Sequence, residues 1–103
     1  MDYKIVYSNL VVFTLDSNLS YLKNNWPKIS LLNFLDKEEK TINLIKNNPD
    51  FFPLWKENLN IRKAIIVKQI TLFYEVKNNI IEILLFWNNY QNPKKLIQLI
   101  QNG

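Results

Sequence analysis

The chain has 103 residues, of which 48% are apolar and 14% aromatic, a composition that can fill the core of one compact domain and argues against disorder. It contains no Cys and no His, which excludes disulfides, thiolate chemistry, a Ser-His-Asp triad and the commonest metal ligands, so we expect no metal and no cofactor. The net charge of +4 arises entirely in residues 51–103, which contain six Lys and one Arg but only three Glu. This local excess of positive charge predicts an anionic partner, either nucleic acid or an acidic protein segment.

The first half of the chain predicts a strand followed by two helices. Residues 2–7 are rich in β-branched and aromatic side chains, and Ser8 is a suitable N-cap for a helix that runs to about Asn25. Pro27 suits the first turn of a second helix, which we expect to continue to about Lys46. Apolar residues repeat at helical spacing, as Val12, Leu15, Leu19, Leu22 and Trp26 in the first helix and Leu31, Leu35, Ile42 and Ile45 in the second. The two helices are therefore expected to form an antiparallel helical hairpin.

The second half of the chain predicts a loop and then three strands. Asn48-Pro49 ends the second helix, because the residue before a proline is disfavoured in the α region, and residues 48–60 form a connecting loop. Three strands are expected at 61–67, 70–76 and 80–87. The last two are joined through Asn78-Asn79, since Asn tolerates the positive φ of a hairpin turn.

A short amphipathic helix, Lys94–Gln101, is expected after Asn92-Pro93. The order β-α-α-β-β-β with this C-terminal helix predicts an α+β fold, in which the helical hairpin packs on one face of a mostly antiparallel sheet. We find no linker and no repeat, so residues 1–103 are expected to form a single domain. No apolar run approaches the roughly 20 residues that cross a bilayer, and there is no signal-peptide pattern, which predicts a cytoplasmic protein with no membrane partner.

Side chains alternate along strands, so the strand residues divide into two faces. One face is almost entirely apolar and is expected to pack against the hairpin, in a core that includes Trp26, Leu35, Ile65, Leu72 and Ile83. The other face, the predicted open face, combines charged residues with Ile66, Phe73, Leu84 and Phe86. Such a patch is larger than a monomer usually exposes. Either the C-terminal helix folds back over it or a partner chain covers it, and the two are compatible if binding displaces the helix.

Short segments along the chain match the motifs of one known family in order and spacing. They are Tyr7-Ser8, Tyr21-Leu22, Asn25-Trp26-Pro27, Phe34-Leu35-Asp36, Asn48-Pro49, Ile61-Arg62-Lys63-Ala64-Ile65, Leu72-Phe73-Tyr74, Ile83-Leu84 and Gln91-Asn92-Pro93. Together these segments resemble the RelE/ParE family of toxins from bacterial toxin–antitoxin pairs, and the resemblance spans nearly the whole chain.

This resemblance implies the toxin of a type II pair, which inhibits growth until a cognate antitoxin binds it. RelE-like members cut mRNA on the ribosome without a metal, and this is the first expectation for the mechanism. ParE-like members share the fold but poison DNA gyrase, which is the alternative, and a degenerate member that only binds its antitoxin is a third. The antitoxin is expected to be acidic and apolar and to cover Ile66, Phe73, Leu84 and Phe86.

The resemblance to RelE-like toxins also implies a set of catalytic groups. Metal-free RNA cleavage needs the 2′-OH deprotonated, the charge on the phosphate stabilised and the leaving oxygen protonated. In RelE-like toxins this work falls to Lys and Arg on the open face and to a Tyr or His near the end of the last strand. The matching candidates are Arg62 for the phosphate, Tyr90 for base stacking or proton transfer, and Lys68 as a second cation.

Some residues depart from the nuclease pattern. Thr71 lies where many nuclease members carry an Arg, so a fixed positive charge is missing there.

Glu75 and Glu82 fall on the predicted open face and could act as a base or pair with Arg62 or Lys68. The candidates also have plain structural interpretations, as a solvated strand arginine, a turn lysine and a tyrosine that packs on a loop.

Overall fold

The computed structural model describes residues 2–102, and the side chains of 12–18 and 102 lie outside this description. Eight elements follow one another in this part of the chain. They are β1 (Lys4–Tyr7), α1 (Asn9–Asn25), α2 (Lys28–Asn47), β2 (Leu54–Trp55), β3 (Asn58–Val67), β4 (Ile70–Lys77), β5 (Ile80–Asn88) and α3 (Pro93–Asn102). The order differs from the predicted one by β2, a two-residue strand inside the predicted loop 48–60. The expected burial of Val12 and Leu15 concerns side chains outside the described set.

The helical hairpin forms as the sequence predicts. Ser8 caps α1, because its Oγ accepts a hydrogen bond of 3.0 Å from the backbone N–H of Val11. The same hydroxyl donates to the carbonyl oxygen of Leu84 at 2.8 Å, so the cap also fixes the start of the helix to β5. At the other end, the backbone N–H of Trp26 donates to the carbonyl of Leu22 and closes α1. None of the helices in the described part of the chain is long and apolar enough to cross a membrane.

Five strands form one sheet in the order β1-β5-β4-β3-β2. β1 runs parallel to β5 and the other three pairs are antiparallel, which confirms the mostly antiparallel sheet. The β4–β5 hairpin turns at Asn78, whose φ of 55° is in the left-handed region, as predicted. Helices α1 and α2 cover one side of the sheet and α3 covers the other, so the α+β fold class with a C-terminal helix is confirmed.

Two apolar cores lie on opposite sides of the sheet. The helix-side core contains Val11, Leu22, Phe34, Ile45, Ala64, Ile66, Ile70, Leu72, Tyr74, Ile81, Ile83 and Phe86. The α3-side core contains Trp55, Ile61, Phe73, Leu85, Trp87 and Leu96. Leu72 and Ile83 therefore share one core, with Trp26 packed against it, as predicted. The prediction is wrong for Leu35 and Ile65, which are 40% and 66% exposed.

Residues 61–66 of strand β3 are turned over relative to the prediction. Ala64 and Ile66 are buried in the helix-side core, whereas Ile61 is buried on the α3 side and Ile65 is exposed. Both sets of alternating residues contain isoleucine, so the hydrophobic pattern of this strand does not decide which set faces the helices. A strand rotated by one residue exchanges its two faces completely.

Strand β5 contains a register shift that changes its faces part-way along. Leu85 and Ile83 pair with adjacent residues of β4, which leaves Leu84 as an extra residue between them. Such a bulge reverses the side on which the later residues lie. Ile83 and Phe86 are consequently both in the helix-side core, while Leu85 faces α3.

Candidate functional site

Arg62 lies on the helix side of the sheet and not on an open face, so its predicted placement is wrong. Its Nη1 donates to the carbonyl oxygen of Phe52 at 2.8 Å and to that of Asp50 at 3.4 Å. Its Nη2 lies 3.4 Å from the Asp50 carboxylate, and the side chain is only 22% exposed. The guanidinium therefore makes three contacts with the loop that connects α2 to β2.

Tyr74 supports the same loop from the neighbouring strand. It is the cross-strand partner of Arg62, and its hydroxyl donates a 2.7 Å hydrogen bond to the carbonyl oxygen of Pro49. Its ring also meets the ring of Phe52 edge to face, with centroids 6.5 Å apart. Burial raises the pKa of Tyr74 to about 12, although the nearby Arg62 acts in the opposite direction. The neutral hydroxyl is thus kept as a donor to the loop.

Lys68 and Tyr90 lie at one end of the sheet, beside the β3–β4 turn. Asn89 connects the two segments, since its Nδ2 donates to the Lys68 carbonyl at 3.1 Å and its Oδ1 accepts from Thr71 Oγ1 at 2.9 Å. Tyr90 follows directly and is 70% exposed. Arg62 precedes Lys68 by six residues, roughly 20 Å for an extended chain, and lies on the helix side of β3. The fold brings Lys68 and Tyr90 to one end of the sheet but does not bring Arg62 to them.

The predicted antitoxin patch is not a single surface. Ile66 and Phe86 are 5% and 1% exposed and belong to the helix-side core. Phe73, 3% exposed, lies in the α3-side core with the half-buried Leu84 packed against it. The face reversal in β5 and the rotation of β3 separate these side chains. Of the two covers considered for the patch, the C-terminal helix is the one that lies over Phe73.

Two grooves open beside α3 on its side of the sheet. The first, which we call the acidic groove, has a volume of about 640 Å³, and its lining includes Ile61, Glu75, Glu82, Leu84, Leu99 and Ile100. The second, the aromatic groove, has a volume of about 310 Å³ and is lined by Trp55, Lys63, Ile65, Phe73, Trp87 and Leu96, among others. Trp55 and Phe73 meet edge to face there, with centroids 5.0 Å apart.

The two glutamates of the acidic groove are direct cross-strand partners. Glu75 pairs with Lys77 at 3.6 Å, and not with Arg62 or Lys68 as considered from the sequence. Glu82 is half-buried and forms no ion pair within residues 2–102. Two carboxylates thus lie side by side on a partly apolar floor.

Neither a protein-family model nor a curated protein matches the sequence, but solved structures match the fold. A chain of the chromosomal ParDE TA system from P. aeruginosa has a TM-score of 0.69 at 11% identity and covers 84% of this chain and 95% of its own. The YoeB/ParE toxin from Agrobacterium tumefaciens has a TM-score of 0.61 at 14% identity, over 84% and 99%. The E. coli DinJ-YafQ toxin-antitoxin complex has a TM-score of 0.61 at 15% identity, over 85% and 93%. The chain has the RelE/ParE toxin fold.

Within this RelE/ParE fold, sequence reasoning missed the two features that the structure adds to the site. The first is the loop that Arg62 and Tyr74 support, whose acceptors are backbone carbonyls that no residue pattern reveals. The second is the acidic groove. Glu75 and Glu82 were visible as acidic residues on adjacent strands, but their direct opposition depends on the β4–β5 register.

Proposed function

We propose that the chain is the toxin of a type II toxin–antitoxin pair and inhibits growth until a cognate antitoxin binds it. The observation that carries this proposal is the extent of the structural likeness to a ParDE chain, which covers 84% of this chain and 95% of that one. The likeness includes most of both chains, so the proposal concerns the whole toxin fold and not a shared supersecondary motif.

Inhibition of DNA gyrase, as in ParE-like toxins, is the mechanism that the geometry favours. Arg62, the residue put forward for the phosphate, is engaged by the carbonyls of Phe52 and Asp50 and by the Asp50 carboxylate. A group that stabilises a transition state must be preorganised toward the reacting atoms, whereas this guanidinium is oriented toward a loop. A toxin that acts by binding a protein target does not need these groups to converge.

Ribosome-dependent mRNA cleavage is the second candidate, and the aromatic groove is the observation that favours it. Trp55 and Trp87, which are 8% and 5% exposed, form the floor of this groove, and Lys63 also lines it. Aromatic side chains combined with cations are typical of single-stranded RNA recognition, and a base could reach only the exposed edges of these two rings. Lys68 and Tyr90 lie at the adjacent end of the sheet, where they would supply a cation and a stacking or proton-transfer group.

The partner that we propose is a cognate antitoxin, as in the E. coli DinJ-YafQ toxin-antitoxin complex. Ile66, Phe73 and Phe86 are each at most 5% exposed, so a direct antitoxin contact at these side chains requires displacement of a covering helix. The antitoxin is therefore expected to bind first to residues that are already exposed.

Induced expression in a bacterial host separates the two mechanisms. Gyrase inhibition predicts growth arrest with relaxed or broken plasmid DNA and full-length mRNA. RNA cleavage predicts shortened mRNA within minutes and normal DNA supercoiling, and Tyr90→Phe and Lys68→Ala should then weaken the arrest. A chain that accumulates in folded form without slowing growth would contradict both mechanisms.

A further inference from the structure

Helix α2 presents three apolar side chains to solvent along one side, and we call them the α2 strip. Ile29, Leu32 and Leu35 are 74%, 51% and 40% exposed. Their spacing of three residues places them on neighbouring turns of the same helix surface. Phe34 and Ile45, which α2 buries in the helix-side core, lie on the other side of the helix from Leu32. Neither apolar core of the described residues includes any member of the α2 strip.

Residues of opposite charge flank the centre of the α2 strip. Lys28 lies one turn before Leu32 and Asp36 lies one turn after it, so the three share one side of α2. Asp36 is 57% exposed and pairs with Lys40 at 3.0 Å. An exposed pair of this kind contributes little to stability, so the Asp36 carboxylate can also accept a cation from outside the helix.

This order of residues makes the α2 strip complementary to itself. In an antiparallel pair of α2 helices with a two-fold axis at Leu32, residues at equal distances on either side of Leu32 lie level with each other. Ile29 of each copy would then lie level with Leu35 of the other, and Lys28 of each copy with Asp36 of the other. A parallel pair would instead bring like charges together, Lys28 to Lys28 and Asp36 to Asp36. Charge complementarity therefore selects both the partner and its orientation.

We propose that the α2 strip is a self-association surface, on which a second copy of this chain docks through an antiparallel α2–α2 contact centred on Leu32. Three apolar side chains per copy make a small interface, so the dimer should dissociate on dilution through the micromolar range. Because α1 and α2 cover one side of the sheet and α3 the other, the dimer leaves the aromatic groove beside α3 accessible. The contact does not depend on the proposed toxin function, and no part of its test measures toxicity.

Sedimentation equilibrium of the full chain, from micromolar to near-millimolar concentration, tests for the dimer. We expect the mass to rise from one copy to two. Leu32→Glu places two carboxylates at the axis and should raise the dissociation constant about tenfold or more. The matched control is Leu59→Glu in β3, at a leucine that is 67% exposed, and it should associate like the original chain. A chain that stays monomeric throughout, or an equal effect of the two substitutions, would overturn the proposal.

An exchange of charges tests the antiparallel orientation. Lys28→Glu alone places two carboxylates level with each other at both ends of the contact and should weaken association about tenfold. The double variant Lys28→Glu/Asp36→Lys restores opposite charges without changing the net charge, and it should recover most of the lost affinity. Circular dichroism checks that each variant keeps its helices. A double variant that associates as weakly as Lys28→Glu would contradict this orientation.

The absence of Cys from the chain allows a direct test of the axis. Leu32→Cys should bring one sulfur from each copy within reach of a disulfide, because the two residues meet on the two-fold axis. At equilibrium in a glutathione buffer, this variant should form a covalent dimer, whereas Leu59→Cys should remain a monomer joined to glutathione. Failure of Leu32→Cys to form the covalent dimer, or equal cross-linking of the two variants, would overturn the proposal.

Discussion

Arg62 and Tyr74 lie opposite each other on β3 and β4, and both side chains donate hydrogen bonds to backbone carbonyls of the same loop. The acceptors are the carbonyls of Phe52 and Pro49, within the loop that leads from α2 to the edge of the sheet. A charged donor and a neutral one therefore act together, and the loop is fixed at two points. This arrangement makes Arg62 a structural residue, whatever else it does.

Replacing Arg62 tests this structural role. Arg62→Ala should lower the free energy of unfolding by about 1–2 kcal/mol, because the partly buried hydrogen bond to Phe52 and the more exposed contacts to Asp50 are lost. Arg62→Lys should recover part of the loss, since an ammonium can reach one carbonyl but cannot reproduce the fork. Urea unfolding of the three proteins measures both effects. An Arg62→Ala chain as stable as the original would show that the loop does not depend on this residue.

Tyr74 should make the free energy of unfolding depend on pH in the alkaline range. Its pKa is raised to about 12 in the folded chain, against 10.0 for an ordinary tyrosine. Between these values the unfolded chain has lost more protons than the folded one, so stability from this group is complete below about pH 10 and is lost as pH rises toward 12.

Tyr74→Phe should remove this contribution and, at neutral pH, cost about 1–3 kcal/mol, because the Pro49 carbonyl loses its buried donor. The measurement is the difference in unfolding free energy between the two chains from pH 8 to 12, in which the other titrating groups cancel. The difference should shrink as pH rises, and a constant difference would contradict the shifted pKa.

The helix α3 is expected to be an integral part of the core. Leu96 is 6% exposed against the α3-side core, whereas Leu99 of the same helix is 37% exposed. Leu96→Ala should cost about 2–3 kcal/mol, and Leu99→Ala, the matched control, less than about 1 kcal/mol. Unfolding followed by tryptophan fluorescence reports on this core through Trp55 and Trp87. Similar small losses for both variants would mean that α3 is only loosely attached.

The opposed glutamates should reduce the stability of the sheet. Glu82→Gln should raise the free energy of unfolding by about 0.2–1 kcal/mol at low salt, because a like-charge cross-strand pair is removed. Glu39→Gln, on the exposed part of α2, controls for the change in net charge. The gain should decrease with added salt, which screens the repulsion. A loss of stability in Glu82→Gln would mean that its carboxylate makes a favourable contact.

The elements of this fold could be predicted because their signals are local. Ser8 and Asn25 mark the two ends of α1, and Asn48-Pro49 marks the end of α2. Asn78 supplies the turn that joins β4 to β5. The capping or turn-forming role of each of these residues involves its own backbone or that of residues a few positions away. Caps and turns of this kind are therefore readable without knowing the tertiary structure.

The faces of the sheet could not be predicted in the same way. Alternation assigns a side to each residue only while the strand has no bulge, and Leu84 is an extra residue in β5. In β3 both alternating sets contain isoleucine, so the pattern did not decide between them, and Ile66 is buried where the prediction had Ile65. The assignment of Arg62 to an open face failed for the same reason, and its loop acceptors are backbone atoms that the sequence does not display.

Growth after induced expression tests directly the proposal that this chain is a toxin. The original chain is compared with Ile83→Asp, which places a charge in the helix-side core and should prevent folding. We predict that cells expressing the original chain stop dividing, that the Ile83→Asp chain is harmless, and that co-expression of a cognate antitoxin restores growth. Normal growth in cells that accumulate the original chain in folded form would contradict the claim.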